Sequence, residues 1–177
     1  MFIDGKELKV LRSEEEIQTR ICEIGKKLNN KFGDEDVYII CVLKGSVMFT
    51  VDLIKHLKMP IRTEFIRLAS YGHDFKSSGK VKAVDISLPD LNEKNVVIVE
   101  DIIDTGRTAK FLVDFINLHF KTKNLIFCSL MDKKCKREVD MQADISGFEV
   151  DDKFLVGYGL DYQGYYRNLT YIGYLDV

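Results

Sequence analysis

The chain has 177 residues, enough for one domain with a sizeable core. Its composition is that of an ordinary globular protein, and a net charge of -2 argues against a general binder of nucleic acid or anionic membranes. No apolar run approaches a membrane span, and the N-terminal MFIDGKELKV lacks the basic start and apolar core of a secretory signal.

The four cysteines (Cys22, Cys41, Cys128, Cys135) show neither paired nor metal-ligand spacing. Cys41 and Cys128 sit inside apolar runs, where a reduced thiol acts as a small core group. A reduced, cytoplasmic protein is the expectation.

Ser13 followed by Glu16 is a capping box, and Ile17, Ile21, Ile24 and Leu28 recur at helical spacing. A helix with one buried stripe is therefore predicted over 13–32. VYIICVL (Val37 to Leu43) is short and continuously apolar, as suits a strand covered on both faces. Lys-Gly-Ser interrupts it. Val47, Val51, Ile54 and Leu57 then predict a second helix, stopped by Pro60.

IRTEFIRL is a further strand candidate, and ASYGHDFKSSGK (69–80) has the composition of a mobile loop. VDISL alternates as a half-solvated strand would. Val96 to Val99 is the next buried strand candidate. Thr108 to His119 is predicted as a helix with Phe111, Leu112, Phe115 and Ile116 inward, and NLIFCSLM as another buried strand. Strand and helix thus alternate, which implies an α/β domain built on a mostly parallel sheet flanked by helices. The tyrosine- and glycine-rich C-terminal third suggests a small accessory unit beside the sheet ends.

VVIVEDIIDTGRT (Val96 to Thr108) carries the most chemistry. Ligands of open α/β sheets bind beyond the carboxyl ends of strands. Glu100 and Asp101 stand there, and Asp104-Thr105-Gly106 turns into a helix. Backbone N–H groups at such a turn, with the helix dipole, suit phosphate. Gly106 allows close backbone approach, and Thr105 and Thr108 add hydroxyls. The segment offers carboxylates to a metal or to sugar hydroxyls, and N–H groups to a phosphate. An isolated Asp-Thr-Gly would be a plain capped helix. A receiver-type acidic cluster would draw its acids from separate strand ends, whereas here two are adjacent.

This stretch resembles the diphosphoribosyl-binding signature of the type I phosphoribosyltransferases, in particular the hypoxanthine-guanine branch. Other segments resemble that branch in the same order: LKGS (Leu43 to Ser46) its pyrophosphate loop, SYG (Ser70 to Gly72) the start of its flexible loop, LMDKK its purine-site lysine, and DKFLVGYGLDYQGYYRNL (Asp152 to Leu169) its purine and second-metal segment. Each is ordinary alone. A charge run such as DKKCKR is usually a solvated face, and Phe154 would usually be core. Their joint order carries the resemblance, from Val37 to the chain's end, which comes soon after the last strand candidate as in compact bacterial members.

The resemblance implies residue roles. Glu100 and Asp101 would face the ribose hydroxyls and, through them, one Mg²⁺; Asp161 would bind a second. Asp104 would be the general base near N7 of the purine, with Ile102 and Ile103 of the signature beside the substrate. Thr105, Gly106, Arg107 and Thr108 would hold the 5′-phosphate, largely through backbone N–H groups. Leu43, Lys44 and Gly45 would contact pyrophosphate, across a Leu43–Lys44 bond that is often cis in the family. Arg167 would also bind pyrophosphate. Ser70 and Tyr71 would open a closing lid. Lys133 would donate to O6 of a 6-oxopurine, Phe154 would stack on the ring, and Leu155 would offer backbone groups to the base edge.

Two departures, Lys134 and the lack of proline before Asp152-Lys153-Phe154, imply a looser loop there. The three histidines receive no role.

The implied partners are phosphoribosyl pyrophosphate and a 6-oxopurine, with Mg²⁺, no nucleic acid and no membrane, in a homo-oligomer (dimer or tetramer). The expected architecture is one domain over 1–177, with a small hood built from the chain ends. The rival is a phosphoribosyl-pyrophosphate-sensing regulator of the same fold that binds nucleic acid. Another is an enzyme of this fold acting on a different base.

Overall fold

The computed structural model describes residues 1–70 and 81–176. It opens with a short hairpin, β1 (Phe2–Ile3) and β2 (Lys6–Glu7), followed by β3 (Lys9–Arg12). Helix α1 (Glu14–Phe32) begins at the capping box: Ser13 Oγ accepts from Glu16 N–H, and Glu16 Oε2 accepts from Ser13 N–H. Its buried face carries Ile17, Ile21, Ile24 and Leu28, as the spacing predicts.

Strand β4 (Val37–Leu43) leads through the Lys-Gly-Ser loop into α2 (Val47–Ile54). This helix ends at Ile54, before Pro60, and buries Phe49, Thr50 and Leu53 instead of the predicted stripe. Val51 is exposed. The stretch MFTVDLI is apolar on nearly every side, so its periodicity sets no phase; packing against α1 and the sheet decides which face goes inward.

β5 (Ile61–Ser70) runs two residues into the predicted loop, whose remainder, 71–80, lies outside the described residues along with the lid expected there. β6 (Val81–Asp85) precedes most of VDISL: the strand ends at Asp85, and residues 86–90 are irregular. Its extent is set by antiparallel pairing with β5, which has an irregularity between Arg67 and Leu68.

β7 (Asn95–Ile103) is longer than its apolar core suggests and includes Glu100 and Asp101 in its last residues. Then come α3 (Arg107–His119), β8 (Asn124–Asp132), a 3₁₀ turn (Lys134–Lys136), β9 (Ile145–Glu149), β10 (Phe154–Val156) and β11 (Ile172–Leu175). In α3 the buried residues are Ala109, Leu112 and Ile116, while Phe111 and Phe115 are half-buried at the flank.

The main sheet has the order β6-β5-β4-β7-β8-β9. Its five strands from β5 to β9 are parallel, and β6 is an antiparallel edge. Val96 to Val99 in central β7 are fully buried, because helices cover both faces. One core joins α1 and α2 to Ile39, Val97, Val99 and Cys128; the other joins α3 to Ile40, Val96, Ile98 and Phe127. A second sheet, β10-β11-β3, unites segments near the two chain ends. Among the described residues no helix is long and apolar enough to cross a membrane. All four cysteines are free thiols, and burial pushes Cys128 up to about 12.

Candidate active site

β7 delivers Asp104, Thr105 and Gly106 to the carboxyl edge of the sheet, and the chain turns there into α3. Gly106 caps the helix with φ 82, a left-handed conformation suited to glycine. Beside this turn lies a cavity of about 210 Å³, lined by Glu100, Ile102, Ile103, Asp104, Thr105, Gly106 and Thr108. The helix N-terminus and its unpaired N–H groups favour an anion there. The Arg107 side chain is turned to Glu138, its Nε paired with Glu138 Oε2 at 2.6 Å.

Glu100 lines that cavity, while its neighbour Asp101 reaches Gly45 in the loop between β4 and α2. Successive strand side chains point to opposite faces, so one strand end supplies two subsites. Among the described residues Glu100 Oε2 is buried without a hydrogen-bond partner. Burial raises its carboxyl well above the ordinary range, and the Asp101 charge adds to this. Burial also pushes Asp101 up to about 6, opposed by the Ile102 N–H that donates to its Oδ1 at 2.8 Å.

The Lys44 loop is closely packed. A methyl group on Gly45 would overlap the Asp101 carboxylate, and one on Gly159 would run into the Gly45 carbonyl. The Leu43–Lys44 bond is cis, as the resemblance implies. Lys44 is exposed at the loop's tip.

Gly159 belongs to the segment that also carries Asp161 and Arg167. Arg167 Nη1 donates to Gly159 O at 2.6 Å, and its Nη2 pairs with Asp161 Oδ1 at 2.5 Å. The residues expected to hold a metal and pyrophosphate therefore hold each other.

Opposite Asp104, Lys133 is nearly buried, and its Nζ lies 3.8 Å from Asp104 Oδ2. Asp104 Oδ1 is enclosed with no partner among the described residues. Phe154 is 40% exposed, so it is no core residue; its ring meets Tyr162 edge-on, with centroids 5.8 Å apart. Leu155 is buried in β10 opposite Tyr174. Ser70 ends β5, and Tyr71 lies outside the described residues.

The model of the phosphoribosyl transferase domain matches residues 11–163. The hypoxanthine-guanine phosphoribosyltransferase of Bacillus subtilis is 44% identical over 94% of this chain and 92% of its own. That of Aquifex aeolicus is also 44% identical, over 94% of each. This chain belongs to the hypoxanthine-guanine phosphoribosyltransferase family. The crystal structure of a Bacillus anthracis member superposes with a TM-score of 0.88 at 43% identity, covering 95% of this chain and 99% of that one. The regulator reading finds no support among these relatives.

Within this family frame, the structure adds residues to which no sequence pattern points. Arg137, inside the charge run that reads as a solvated face, is mostly buried. Its guanidinium donates to Asp104 O at 2.6 Å and pairs with the buried Asp132 carboxylate at 2.5 Å. Its stem packs under Gly106. Glu138 N–H donates to Thr105 O at 2.9 Å, and Lys133 N–H to Ile103 O at 2.9 Å. Residues 133–138 thus strap the Asp104-Thr105-Gly106 turn from behind. Where the prolines are absent, residues 134–136 form a 3₁₀ turn, with exposed Lys134–Glu149 and Lys136–Asp152 pairs, each 2.7 Å.

Proposed function

We propose that the protein is a purine-salvage enzyme that transfers phosphoribosyl from phosphoribosyl pyrophosphate to hypoxanthine or guanine, giving the nucleoside monophosphate and pyrophosphate. One observation carries this reading: the Lys133–Asp104 pair, held apart at 3.8 Å, borders an anion cavity at the N-terminus of α3. A 6-oxopurine presents an acceptor at O6 and a proton at N7 on one edge. Lys133 would donate to the first and Asp104 would take the second as the ring nitrogen attacks. Adenine presents a donor where O6 would be, leaving the buried lysine unpaired.

The remaining roles follow. Thr105, Gly106, Arg107 and Thr108 would hold the 5′-phosphate, the arginine through its backbone, with Ile102 and Ile103 lining the approach. Glu100 and Asp101 would take the ribose hydroxyls. Leu43, Lys44, Gly45 and Arg167 would hold pyrophosphate. Phe154 would stack on the base and Leu155 offer its backbone. Ser70 and Tyr71 would begin a lid that keeps water from the cationic sugar.

The acids fit Mg²⁺. Glu100 has a buried oxygen without a partner among the described residues, Asp101 lies against Gly45 of the Lys44 loop, and Asp161 is paired with Arg167. Among the described residues no three His, Cys, Asp or Glu side chains form a cage, so substrate oxygens would complete the coordination. When bound, Mg²⁺ would neutralise charge growing on the leaving pyrophosphate. We further infer a cytoplasmic protein that works as one domain, with the β3-β10-β11 sheet as its hood, in a homo-oligomer.

The test mixes purified protein with phosphoribosyl pyrophosphate, Mg²⁺ and each of hypoxanthine, guanine, xanthine and adenine, and measures nucleotide formed. Turnover of hypoxanthine or guanine, lost in Asp104→Asn, is the expected result. Phosphoribosyl pyrophosphate binding without turnover of any base would overturn the reading.

A further inference from the structure

We propose that Tyr158 and Asp52 are positioning residues, which join the hood segment to helix α2 and thereby set the pyrophosphate loop. The inference rests on the reading of residues 44–46 as that loop.

Gly157, Tyr158 and Gly159 have φ values of 102, 47 and 95. Three consecutive residues in the left-handed region make an unusual turn, and the central one is no glycine. Such a conformation persists in a bulky residue only where its surroundings fix it. The surroundings are visible. Tyr158 is buried, and its hydroxyl donates to Asp52 Oδ2 at 2.6 Å. Asp52 stands on α2 and also accepts from Gln18 Nε2 of α1 at 2.9 Å, while its Oδ1 pairs with Lys55 at 2.8 Å. Burial and the neighbouring Asp52 charge push the Tyr158 phenol far above its ordinary range, so it remains a donor at any physiological pH.

The residue after Tyr158 is the one that touches the site. Gly159 lies flat on the Gly45 carbonyl, with no room for a methyl group between them. It also exchanges two hydrogen bonds with Arg167: its N–H donates to Arg167 O at 2.9 Å, and its carbonyl accepts from the guanidinium at 2.6 Å. The helix that carries Asp52 is the helix that the Lys44-Gly45-Ser46 loop opens. The Tyr158–Asp52 bond thus joins, alongside the Gly159–Gly45 contact, the two segments whose side chains, Lys44 and Arg167, would meet pyrophosphate. The Tyr158 hydroxyl is directed at Asp52 on α2 and does not line the cavity at the N-terminus of α3. Lys133 and Asp104 directly follow β8 and β7 and do not depend on it.

A buried tyrosine that merely satisfies its hydroxyl would affect stability alone. A positioning role separates pyrophosphate from purine. The experiment measures binding of magnesium pyrophosphate by calorimetry for wild type, Tyr158→Phe, Asp52→Ala and the double variant, and KM for phosphoribosyl pyrophosphate and for hypoxanthine. Tyr158→Phe is expected to weaken pyrophosphate binding and raise KM for phosphoribosyl pyrophosphate roughly tenfold, the scale of one hydrogen bond to a charged group. KM for hypoxanthine should stay within about twofold, and the losses of the two single variants should not add in the double variant, because both changes remove the same bond. Unchanged pyrophosphate affinity, additive losses, or an equal loss for hypoxanthine would overturn the inference. Wild-type protein that binds pyrophosphate but forms no nucleotide would sink the enzymatic reading alone, and calorimetry would still decide this one. Wild type that does not bind magnesium pyrophosphate would overturn both.

Discussion

Lys133 Nζ stands 3.8 Å from Asp104 Oδ2, close enough for attraction and too far for a hydrogen bond. The gap is maintained by backbone contacts. Lys133 N–H is tied to Ile103 O, and Arg137 holds the Asp104 carbonyl. A donor and an acceptor are thereby presented side by side, as the proposed purine edge would require.

Removing either member should have a different signature. Asp104→Asn should lower kcat by about 10²- to 10⁴-fold, the usual contribution of a positioned base, with KM for phosphoribosyl pyrophosphate little changed. Lys133→Met should instead raise KM for hypoxanthine by about 10- to 100-fold, since a charge-assisted bond to O6 is lost. Steady-state kinetics on the two variants separates the roles. Equal effects of both on both constants would contradict the assignment.

Gly45 touches Asp101 so closely that no side chain fits. Gly45→Ala should cost about 1–3 kcal/mol of stability, the range for overpacking a tight site, and should depress turnover at low phosphoribosyl pyrophosphate. Adding Asp101→Ala makes room for the methyl group, so the double variant should regain thermal stability without regaining activity. Thermal melts of the single and double variants test this directly.

Arg137 and Asp132 form a mostly buried pair, with side-chain exposures of 14% and 4%. Breaking such a pair from one side leaves an uncompensated charge and costs about 3–5 kcal/mol. Arg137→Met should therefore lower Tm by roughly 10 °C for a domain of this size. Asp132→Asn added to it should restore part of the loss. No recovery in the double variant would show that Arg137 acts through its packing under Gly106 rather than through its charge.

Much of this was legible in the sequence where local chemistry decides the outcome. The capping box at Ser13, the continuous apolar runs of β4 and β7, and the Asp104-Thr105-Gly106 turn into α3 all depend on near neighbours. The misjudged elements depend on distant ones. Helix α2 is apolar nearly all round, so only the approach of α1 and the sheet selects Phe49 and Leu53 over Val51. The extent of β6 is set by its partner β5. Arg137 and Tyr158 are revealed by bonds to the Asp104 carbonyl and to Asp52, 33 and 106 residues away, which no spacing rule encodes.

The acids at the end of β7 make the site costly to keep in the absence of ligand. An acid whose pKa is raised in the folded state binds its proton more tightly there than in the unfolded chain. Stability then falls as pH rises from the unfolded pKa through the folded one. For Asp101 that window runs from the ordinary carboxylate range to about 6, and for Glu100 it likewise runs upward from the ordinary range. A tenfold difference in proton affinity between the folded and unfolded chain corresponds to about 1.4 kcal/mol. In chelator, the protein should therefore melt higher at pH 5 than at pH 7.5 so far as these groups decide it. Asp101→Asn and Glu100→Gln remove the charge and keep the shape. Each should raise Tm at pH 7.5, with a smaller gain at pH 5, where the wild-type Asp101 is already largely neutral. Both variants should also lose activity, because the charge that destabilises the folded state is the charge that the ribose hydroxyls and Mg²⁺ would require in the proposed reaction. Paired melting curves at the two pH values decide the matter: a gain independent of pH would mean that packing, not ionisation, sets the cost.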